Sequence, residues 1–490
     1  MKRKDFVIMK KLFSMIFAVI LSLSLTFTNF AVAVQADDLI GAEYTVISEK
    51  KEIPFTDDRV LVVLTREASM EFNTYTADDF VNIGCASVTD LSNGAIAITK
   101  AALNQAVSAL STREVGVPFE IQEKYGEAVS NYKQILCLNL ENPGYSSVLA
   151  AIETLRQRDD VYYAGPNYIM QIEDIEDNIL SPADIGTPDG WAYDIVQMDL
   201  AYRFVTDLSS VSIGIMDTGI DGDHPYLQSA INVSLCRDFT NGSAVITGVP
   251  TDDYGHGTKV AGIIAAQGGG GVYSICSMAQ IVSLKVGDSE GVVEASDAIA
   301  AIDYATLVGI DVLNASFSIP SSSLAAGDDQ AFVTAISRYP GVIVCAAGND
   351  NSNNDSYPLW PSCYPLTNII SVGASTEEDQ RWVSVTGAAS NYGINSVDVF
   401  APGGNFKTTI VENINDDGDV QCAYVNYRTS YATPIVAGIA GLILAQYPNM
   451  SATDVRNAIV YNVDESNYLD GLCVSGGRVN AFLALASVSE

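Results

Sequence analysis

From residue 211 onward, short and largely apolar runs alternate with segments that have the spacing of a helix. The apolar runs have the length of buried strands, and they cover residues 211–216, 281–286, 312–317, 342–346, 369–372 and 397–400. The helix-like segments lie between and after them, at 260–266, 295–308, 330–338 and 432–446. Continuous apolar strands separated by helices indicate a parallel sheet that is covered on both faces. We therefore predict an α/β fold with a mostly parallel sheet and helices on both sides.

Residues 37–180 have a different pattern, which predicts a small α+β domain. Strand-like runs occur at 59–64 and 134–138, and helical spacing occurs at 148–158. A further strand candidate begins at residue 161 and is predicted to break at Gly165-Pro166. Residues 174–190 are acidic, rich in Pro and Gly and without periodicity, which is typical of a linker. The larger domain is therefore predicted to span residues 181–490.

The N-terminus has the pattern of an export signal. Five of the 25 basic residues lie within the first eleven positions, and an apolar run from 12 to 27 follows them. This run is short for a membrane-spanning helix, and the small residues after it suit signal peptidase. We predict that residues 1–36 are a signal peptide cleaved after Ala33 or Ala36, and that the product is secreted and extracellular.

The charge balance excludes several classes of function. The chain has 25 Lys and Arg against 59 Asp and Glu, a net charge of −34, which would repel nucleic acids and anionic membranes. At 48% hydrophobic and 17% charged residues, it is also too apolar for a disordered protein.

The eight cysteines have neither the spacing of a metal cluster nor that of a small disulfide scaffold. Cys345 lies within an apolar run and is predicted to be a buried free thiol.

Residues able to catalyse a reaction stand at the ends of the predicted strands and the starts of the predicted helices. Asp217 follows the strand candidate that ends at 216, and Asn349 follows the one that ends at 346. His256 and Ser430 stand near the starts of helical segments, and the only other histidine is His224. Sites in α/β proteins form at the carboxyl ends of the strands. An acid, a histidine, an amide and a serine at that edge suit acyl transfer by a serine nucleophile.

The segments around these four residues resemble the subtilisin family of serine proteases, whose catalytic residues follow in the order Asp, His, Ser. The similarity includes the flanking residues, namely His256-Gly257-Thr258-Lys259-Val260-Ala261-Gly262, Ala346-Ala347-Gly348-Asn349, Val399-Phe400-Ala401-Pro402-Gly403 and Pro434-Ile435-Val436-Ala437-Gly438. It extends from about residue 185 to the C-terminus. The resemblance implies a secreted endopeptidase that cleaves proteins or peptides, acts as a monomer and needs no cofactor for catalysis.

The resemblance also implies a role for each residue of the site. Asp217 would orient His256, His256 would act as the general base and later as the acid, and Ser430 would be the nucleophile. Asn349 and the backbone N–H of Ser430 would bind the oxyanion at a helix N-terminus. The residues implied to bind the substrate are Ser316, Phe317, Ser318, Ala346, Ala347 and Gly348. A structural calcium ion is typical of the family, but no metal ligands are assigned in this sequence.

The end of the small domain resembles the end of the propeptides of this family, over residues 158–168. Such propeptides assist folding and then occupy the substrate cleft as inhibitors. The resemblance implies that residues 37–180 form a propeptide that is removed on maturation. We expect no disulfide from Cys85 or Cys137 to the rest of the chain, because such a bond would tether the cleaved piece.

Three other motifs suggest different chemistry but are incomplete. Residues 287–291 match the nucleophile elbow of α/β-hydrolases, which requires a histidine after the serine, whereas both histidines precede Ser289. Asp217-Thr218-Gly219 resembles the aspartic-protease signature, but no second copy occurs. Residues 413–419 resemble a calcium loop, yet its twelfth position is Tyr424 and not Glu. We predict a surface loop for the first motif, whereas an acidic hairpin turn explains the third as well as a calcium loop does.

Two residues leave alternatives open. His224 lies in a polar sequence and is interpreted as a turn residue, with a functional role as the alternative.

Arg428 stands two positions before Ser430, where the family usually has Gly. If that position needs a positive φ, an arginine costs about 1–2 kcal/mol and could crowd the cleft. The alternative function is therefore a catalytically impaired member of the family that acts as a binding protein.

Overall fold

A computed structural model describes the chain over residues 55–92, 132–172, 190–205, 210–240, 248–267, 271–320, 330–414 and 420–489. All of these residues belong to one of two compact units, Pro54–Glu490, and the other unit, Met1–Ile53, lies outside them. The predicted signal peptide and residues 174–189 of the predicted linker also lie outside the described residues.

The N-terminal domain is an antiparallel sheet with a helix on one face. Its elements are β1 (Phe55–Leu64), α1 (Arg66–Ser69), a 3-10 helix (Ala77–Ile83), β2 (Cys85–Asp90), β3 (Ile135–Leu140), α2 (Tyr145–Leu155) and β4 (Val161–Gln171). Val60, Val62 and Leu64 of β1 form one buried cluster with α2, whereas Leu61 and Val63 belong to the main core of the protein. Successive side chains of a strand point to opposite faces. Both faces of β1 are therefore buried, one within the domain and the other against the C-terminal part.

Strand β4 does not end at Gly165-Pro166 as predicted, but continues to Gln171. Its ladder with β1 is irregular at this point, because Val60 pairs with Pro166 and the next pair joins Phe55 to Tyr168. A proline has no N–H to donate, so it interrupts the ladder there. The strand nevertheless remains extended, and its last residues pair with a different strand, as described below.

The C-terminal part contains the predicted parallel sheet and its helices. Its elements are α3 (Trp191–Ile195), α4 (Met198–Ala201), β5 (Ser212–Asp217), β6 (Arg237–Asp238), α5 (His256–Ala265), β7 (Gln280–Lys285), β8 (Val292–Glu294), α6 (Ala295–Val308), β9 (Val312–Ala315), β10 (Ile319–Pro320), α7 (Gln330–Arg338), β11 (Val342–Ala346), β12 (Leu359–Trp360), β13 (Ile369–Ser375), β14 (Val399–Pro402), β15 (Lys407–Ile414), β16 (Val420–Tyr424), α8 (Thr429–Gln446), α9 (Ala452–Val460), β17 (Val463–Glu465), β18 (Gly477–Val479) and α10 (Ala481–Ser487).

Nine strands form the central sheet in the order β17-β18-β14-β13-β11-β9-β5-β7-β6. Every neighbouring pair is parallel except β17 and β18 at one edge. The α/β prediction is therefore confirmed, and the predicted bounds of α6 and α7 agree with the structure. Strands β15 and β16 pair antiparallel, whereas residues 415–419, which hold most of the motif at 413–419, lie outside the described residues.

Helix α8 lies at the centre of the protein. It is long and apolar enough to cross a membrane by length and composition alone, but 89% of it is buried in the core. It packs on α5 and on strands β9, β11, β13 and β14 of the central sheet. The apolar length of α8 is therefore explained by burial inside the protein.

All eight cysteines lie in the described part of the chain, and none of them forms a disulfide there. Cys345 in β11 is fully buried, as the sequence predicted. Burial raises the pKa of its thiol well above the usual range, which keeps the sulfur protonated and unreactive.

Replacing Gly262 with alanine tests the packing of α5 on β15. A Cβ at this position would lie 2.3 Å from the Oγ1 atoms of both Thr408 and Thr409. These hydroxyls donate to the carbonyls of Lys259 and Thr258, so they have little freedom to move. We expect Gly262→Ala to lower the free energy of unfolding by roughly 1–3 kcal/mol, measured as a lower urea midpoint. In an unobstructed helix the same change stabilises by about 1 kcal/mol, so a raised midpoint would contradict the close contact.

Candidate active site

Three of the predicted catalytic residues lie at strand ends or helix starts along one edge of the central sheet. Asp217 is the last residue of β5, His256 is the first residue of α5, and Ser430 is the second residue of α8. Helices α5 and α8 pack against each other. Asp217 and His256 have no solvent exposure, and Ser430 is 3% exposed. The site is therefore enclosed by the protein.

The structure brings Asp217 and His256 into direct contact. Nδ1 of His256 lies 2.8 Å from Oδ1 and 3.0 Å from Oδ2 of Asp217. A carboxylate accepts hydrogen bonds, so Nδ1 is the atom that carries the proton. In the neutral ring Nε2 is then the basic nitrogen. This contact sets the tautomer that a general base requires.

The backbone around His256 depends on glycine at two positions. Gly255, which precedes α5, has a φ of 96°, which L side chains rarely adopt. A Cβ on Gly257 would lie 2.1 Å from the carbonyl oxygen of Gly219, in the loop that follows Asp217. The close approach of these two backbones brings the start of α5 to the end of β5.

Ser430 lies in the first turn of α8, and the residue after it contacts the histidine. The ring of Tyr431 stacks on that of His256, with a centroid distance of 5.5 Å. The carbonyl oxygen of Ser430 accepts a hydrogen bond from Oγ of Ser316 at 3.2 Å. Its own Oγ is buried and has no hydrogen-bond partner among the described residues. Hydrogen bonds between base and nucleophile are often long before a substrate binds.

Asn349 is held in place by the residue that precedes the serine. Its Oδ1 accepts hydrogen bonds from N of Thr429 at 2.9 Å and from Oγ1 of Thr429 at 3.1 Å. Gly348 has a φ of 103° and donates from its N–H to the same hydroxyl. Because the amide oxygen is occupied, the two hydrogens of Nδ2 remain as donors on the other side of the amide group.

The predicted substrate-binding strand contacts a strand of the N-terminal domain. Ser318 and Gln171 exchange two backbone hydrogen bonds, at 3.3 and 3.4 Å. On the other side, β4 pairs antiparallel with β8, and the N–H of Ile172 donates to the carbonyl of Gly291 at 2.8 Å. The end of β4 therefore lies as a middle strand between 291–294 and 316–318. Of the other predicted residues, Ser316 contacts Ser430, and Phe317 is packed in the core.

Leu359 lies against one wall of the predicted specificity pocket. Ala346 ends β11 and is followed by Ala347 and Gly348. A Cβ on Gly348 would lie 2.4 Å from Cδ2 of Leu359. Strand β12, which begins with Leu359, pairs with β10 just beyond the 316–318 segment. The side chain of Leu359 therefore lies against Gly348, in one of the two predicted walls of the pocket.

The two other candidate residues lie in turns. His224 is buried, and its Nδ1 accepts a hydrogen bond from N of Tyr226 at 3.2 Å, in agreement with the turn interpretation. Ser289 is exposed in a loop that is closed by hydrogen bonds from the N–H groups of Glu290 and Val292 to Oδ1 of Asp288.

The expected strain at Arg428 is absent. Its φ is −154°, an extended conformation that any residue adopts, because it caps the start of α8. Its guanidinium lies 5.2 Å from the ring centroid of Trp382 and donates to the carbonyl of Tyr427. The side chain is therefore packed against an aromatic ring and buried, and the positive-φ penalty does not apply.

Sequence reasoning missed Asp252, a buried carboxylate that contacts both Thr218 and the first turn of α5. Its position three residues before Gly255 carries no pattern that distinguishes it from the exposed acids nearby. Within the described part of the chain, no group of three or more His, Cys, Asp or Glu residues is placed to hold a metal ion.

Comparison with known proteins agrees with this geometry. Residues 209–476 match the model of the subtilase family, Peptidase_S8. Subtilisin DY of Bacillus licheniformis is 33% identical over 278 residues, which cover 56% of this chain and 89% of that protein. Subtilisin E of Bacillus subtilis (strain 168) is 34% identical over 255 residues, which cover 51% of this chain and 60% of that protein. The cell wall-associated protease of the same strain is 32% identical over 269 residues, or 26% of its length.

Proposed function

Because this chain belongs to the subtilase family and is a subtilisin-like serine endopeptidase, we propose that it cleaves proteins or peptides through Asp217, His256 and Ser430. The observation that carries the proposal is the contact of His256 with Asp217 at the start of α5, beside the start of α8. We further propose that the enzyme is secreted, is made as a zymogen and acts as a monomer. The predicted signal peptide supports secretion.

The proposed reaction proceeds through an acyl-enzyme. Nε2 of His256 takes the proton of Ser430 Oγ as this oxygen attacks the scissile carbonyl, and Asp217 stabilises the imidazolium that forms. Nδ2 of Asn349 and the backbone N–H of Ser430 donate to the oxyanion, assisted by the dipole of α8. The imidazolium then protonates the leaving amine. A water molecule, activated by the same histidine, releases the acyl product and restores Ser430.

The N-terminal domain is proposed to be an inhibitory propeptide. Support comes from the end of β4, which takes the place that an extended substrate would have between 291–294 and 316–318. Ile172 is fully buried, and its carbonyl accepts a hydrogen bond from the hydroxyl of Tyr254 at 3.3 Å. Its side chain lies near Thr218, the neighbour of Asp217, since Cδ1 of Ile172 and Cγ2 of Thr218 would lie 2.9 and 3.0 Å from a Cβ placed on Gly287.

Polar contacts outside the cleft support the same assignment. Arg59 of β1 forms an ion pair with Glu294 of the C-terminal part. The side chain of Asn167 caps α6 by accepting from the N–H of Ser296 at 2.8 Å. In the opposite direction, the buried Arg338 of α7 donates to the carbonyl of Lys133 at 2.7 Å. An N-terminal domain that satisfies buried polar groups of the C-terminal part in this way is suited to assist the folding of that part.

The alternative function, an impaired family member that serves as a binding protein, has lost its main argument. It rested on Arg428, which has neither a positive φ nor a side chain free to extend, because its guanidinium packs on Trp382. All four residues that the reaction needs are present. The enzyme is therefore the function that the geometry supports best.

Replacing Ser430 with alanine should abolish both maturation and hydrolysis. Without the hydroxyl no acyl-enzyme can form, and we expect peptide hydrolysis to fall by at least about a thousandfold. The secreted variant should also keep its N-terminal domain, whereas the wild-type protein should lose it, as seen by mass spectrometry. A wild-type protein that keeps the domain and is as inert as the variant would support the binding-protein alternative.

The N-terminus of the mature enzyme should lie between residues 173 and 190. Residues up to Ile172 occupy the cleft, whereas Trp191 belongs to the enzyme, because its indole donates to the carbonyl of Asn405 at 2.8 Å. The measurement is N-terminal sequencing of the mature protein. The Ser430→Ala variant is the control and should begin after Ala33 or Ala36. A mature N-terminus before residue 161 would show that β4 is not removed.

Replacing Leu359 with glycine should widen the specificity pocket. Removing the side chain that lies on Gly348 leaves room for a large residue on the acyl side of the scissile bond. We expect the ratio of kcat/KM for a phenylalanyl over an alanyl peptide to rise at least about tenfold. The ratio does not depend on the folded fraction. Ile394→Gly, at an exposed apolar residue, is the control. An unchanged ratio in Leu359→Gly would show that Leu359 does not limit the pocket.

A further inference from the structure

A second buried carboxylate, Asp252, lies behind the pair formed by Asp217 and His256. It is 3% exposed and accepts four hydrogen bonds. Oδ1 accepts from Oγ1 of Thr218 and from N of Gly255, both at 2.7 Å. Oδ2 accepts from N of Thr258 at 2.8 Å and from Oγ1 of Thr258 at 2.6 Å. Each carboxylate oxygen of Asp252 therefore accepts two hydrogen bonds.

The four donors come from the two elements that carry the acid and the base. Thr218 directly follows Asp217 at the end of β5, and its N–H donates to Oδ1 of Asp217 at 2.8 Å. Gly255 and Thr258 flank His256 at the start of α5. The hydroxyl of Thr218 also accepts from the N–H of Gly257 at 3.1 Å. One carboxylate thus links the end of the strand to the first turn of the helix.

A buried lysine contacts the backbone on the other side of the link between β5 and α5. Nζ of Lys285, at the end of β7, donates to the carbonyls of Thr218 and Thr251 and pairs with Asp253. Charges that are removed from water require compensation by hydrogen bonds and opposite charges. These partners compensate the charge of Lys285, and the lysine in turn fixes the backbone at Thr218 and at Thr251, which precedes Asp252.

An amide cannot replace the carboxylate at residue 252. All four partners of Asp252 are donors, so one end of an asparagine side chain would direct its own N–H groups at two of them. A buried donor left without an acceptor is costly. The arrangement therefore selects a carboxylate, although Asp252 has no direct contact with Ser430 in the proposed mechanism.

We infer that Asp252 is a positioning residue for the reaction, which holds the end of β5 and the start of α5 together so that Nδ1 of His256 remains directed at Asp217. This inference rests on the proposed function of the site. Small displacements of a reacting group cost up to about a hundredfold in rate. Loss of Asp252 should therefore lower kcat and leave the binding of the substrate nearly unchanged.

The first test compares Asp252→Asn with the wild type, both expressed as the full chain and matured. We expect kcat to fall about 10- to 100-fold, with KM changed less than about threefold. Asp223→Asn, which alters an exposed carboxylate in the loop after Asp217, should keep the wild-type values. A kcat within twofold of wild type in Asp252→Asn would overturn the inference.

A double-mutant cycle separates positioning from general destabilisation. If Asp252 acts only through the pair, its replacement should cost little once Asp217 has been changed to asparagine. We expect less than about a threefold further loss of kcat in the double variant. The full 10- to 100-fold loss on top of Asp217→Asn would show a role that is independent of the pair.

The second test does not depend on activity. In the full chain carrying Ser430→Ala, the Nδ1 proton of His256 should give a low-field resonance because it is bonded to Asp217. With only two histidines, His256→Ala assigns the signal. Adding Asp252→Asn should move it upfield or broaden it, and an unchanged resonance would overturn the inference.

If Asp252→Asn does not fold, Thr218→Val, which removes only the hydroxyl of Thr218, takes its place. Inert wild-type protein with a responsive resonance would refute the proposed function alone.

Discussion

The position of the site depends on the central sheet, which is mostly parallel and buried on both faces. The carboxyl ends of neighbouring strands lie at one edge, and the helices that cover the sheet begin near that edge. Asp217 ends one strand of the sheet and Asn349 follows another, whereas His256 and Ser430 lie in the first turns of two helices that pack together. Strand β5 is buried and is paired with a strand on each side, so the acid at its end has little freedom to move. The helix starts supply N–H groups, and those of α8 are the donors in the proposed mechanism for the negative charge that develops on the substrate.

The enclosed state of the site follows from a second property of strands, the need to pair their edges. Segments 291–294 and 316–318 present backbone groups to the cleft, and β4 satisfies them on both sides. In the proposed maturation, removal of the N-terminal domain would make the same groups available to an extended substrate, which is recognition by strand addition. The proposed inhibitor and the substrate would therefore use one set of hydrogen bonds. The difference lies in the rest of the domain, where β1, Asn167 and Arg59 add contacts that a substrate does not have.

Local patterns in the sequence predicted the parts of the structure that depend on local physics. The apolar runs predicted the strands, and the residues after them predicted the candidate acid, base, amide and nucleophile. Contacts between residues distant in the chain could not be predicted. Pro166 indicated the end of a strand, but β1 and β8 hold β4 extended on either side of it. Asp252 is one acid among 59 acidic residues, and only the fold shows that four donors converge on it.

Arg428 shows that a departure from a family pattern can be interpreted in terms of function only when the backbone conformation at that position is known. Glycine is required only where φ is positive or where a Cβ would collide, and neither holds at an extended N-terminal cap. Once a side chain is permitted there, a long cation gains from stacking on an aromatic ring. Trp382 provides that ring, and the carbonyl of Tyr427 accepts from the guanidinium. The arginine therefore adds contacts at the start of α8, two residues before Ser430, and leaves the four reacting groups unchanged. A substitution that stabilises the helix start carrying the nucleophile is consistent with a working enzyme and gives no reason to assign a binding role.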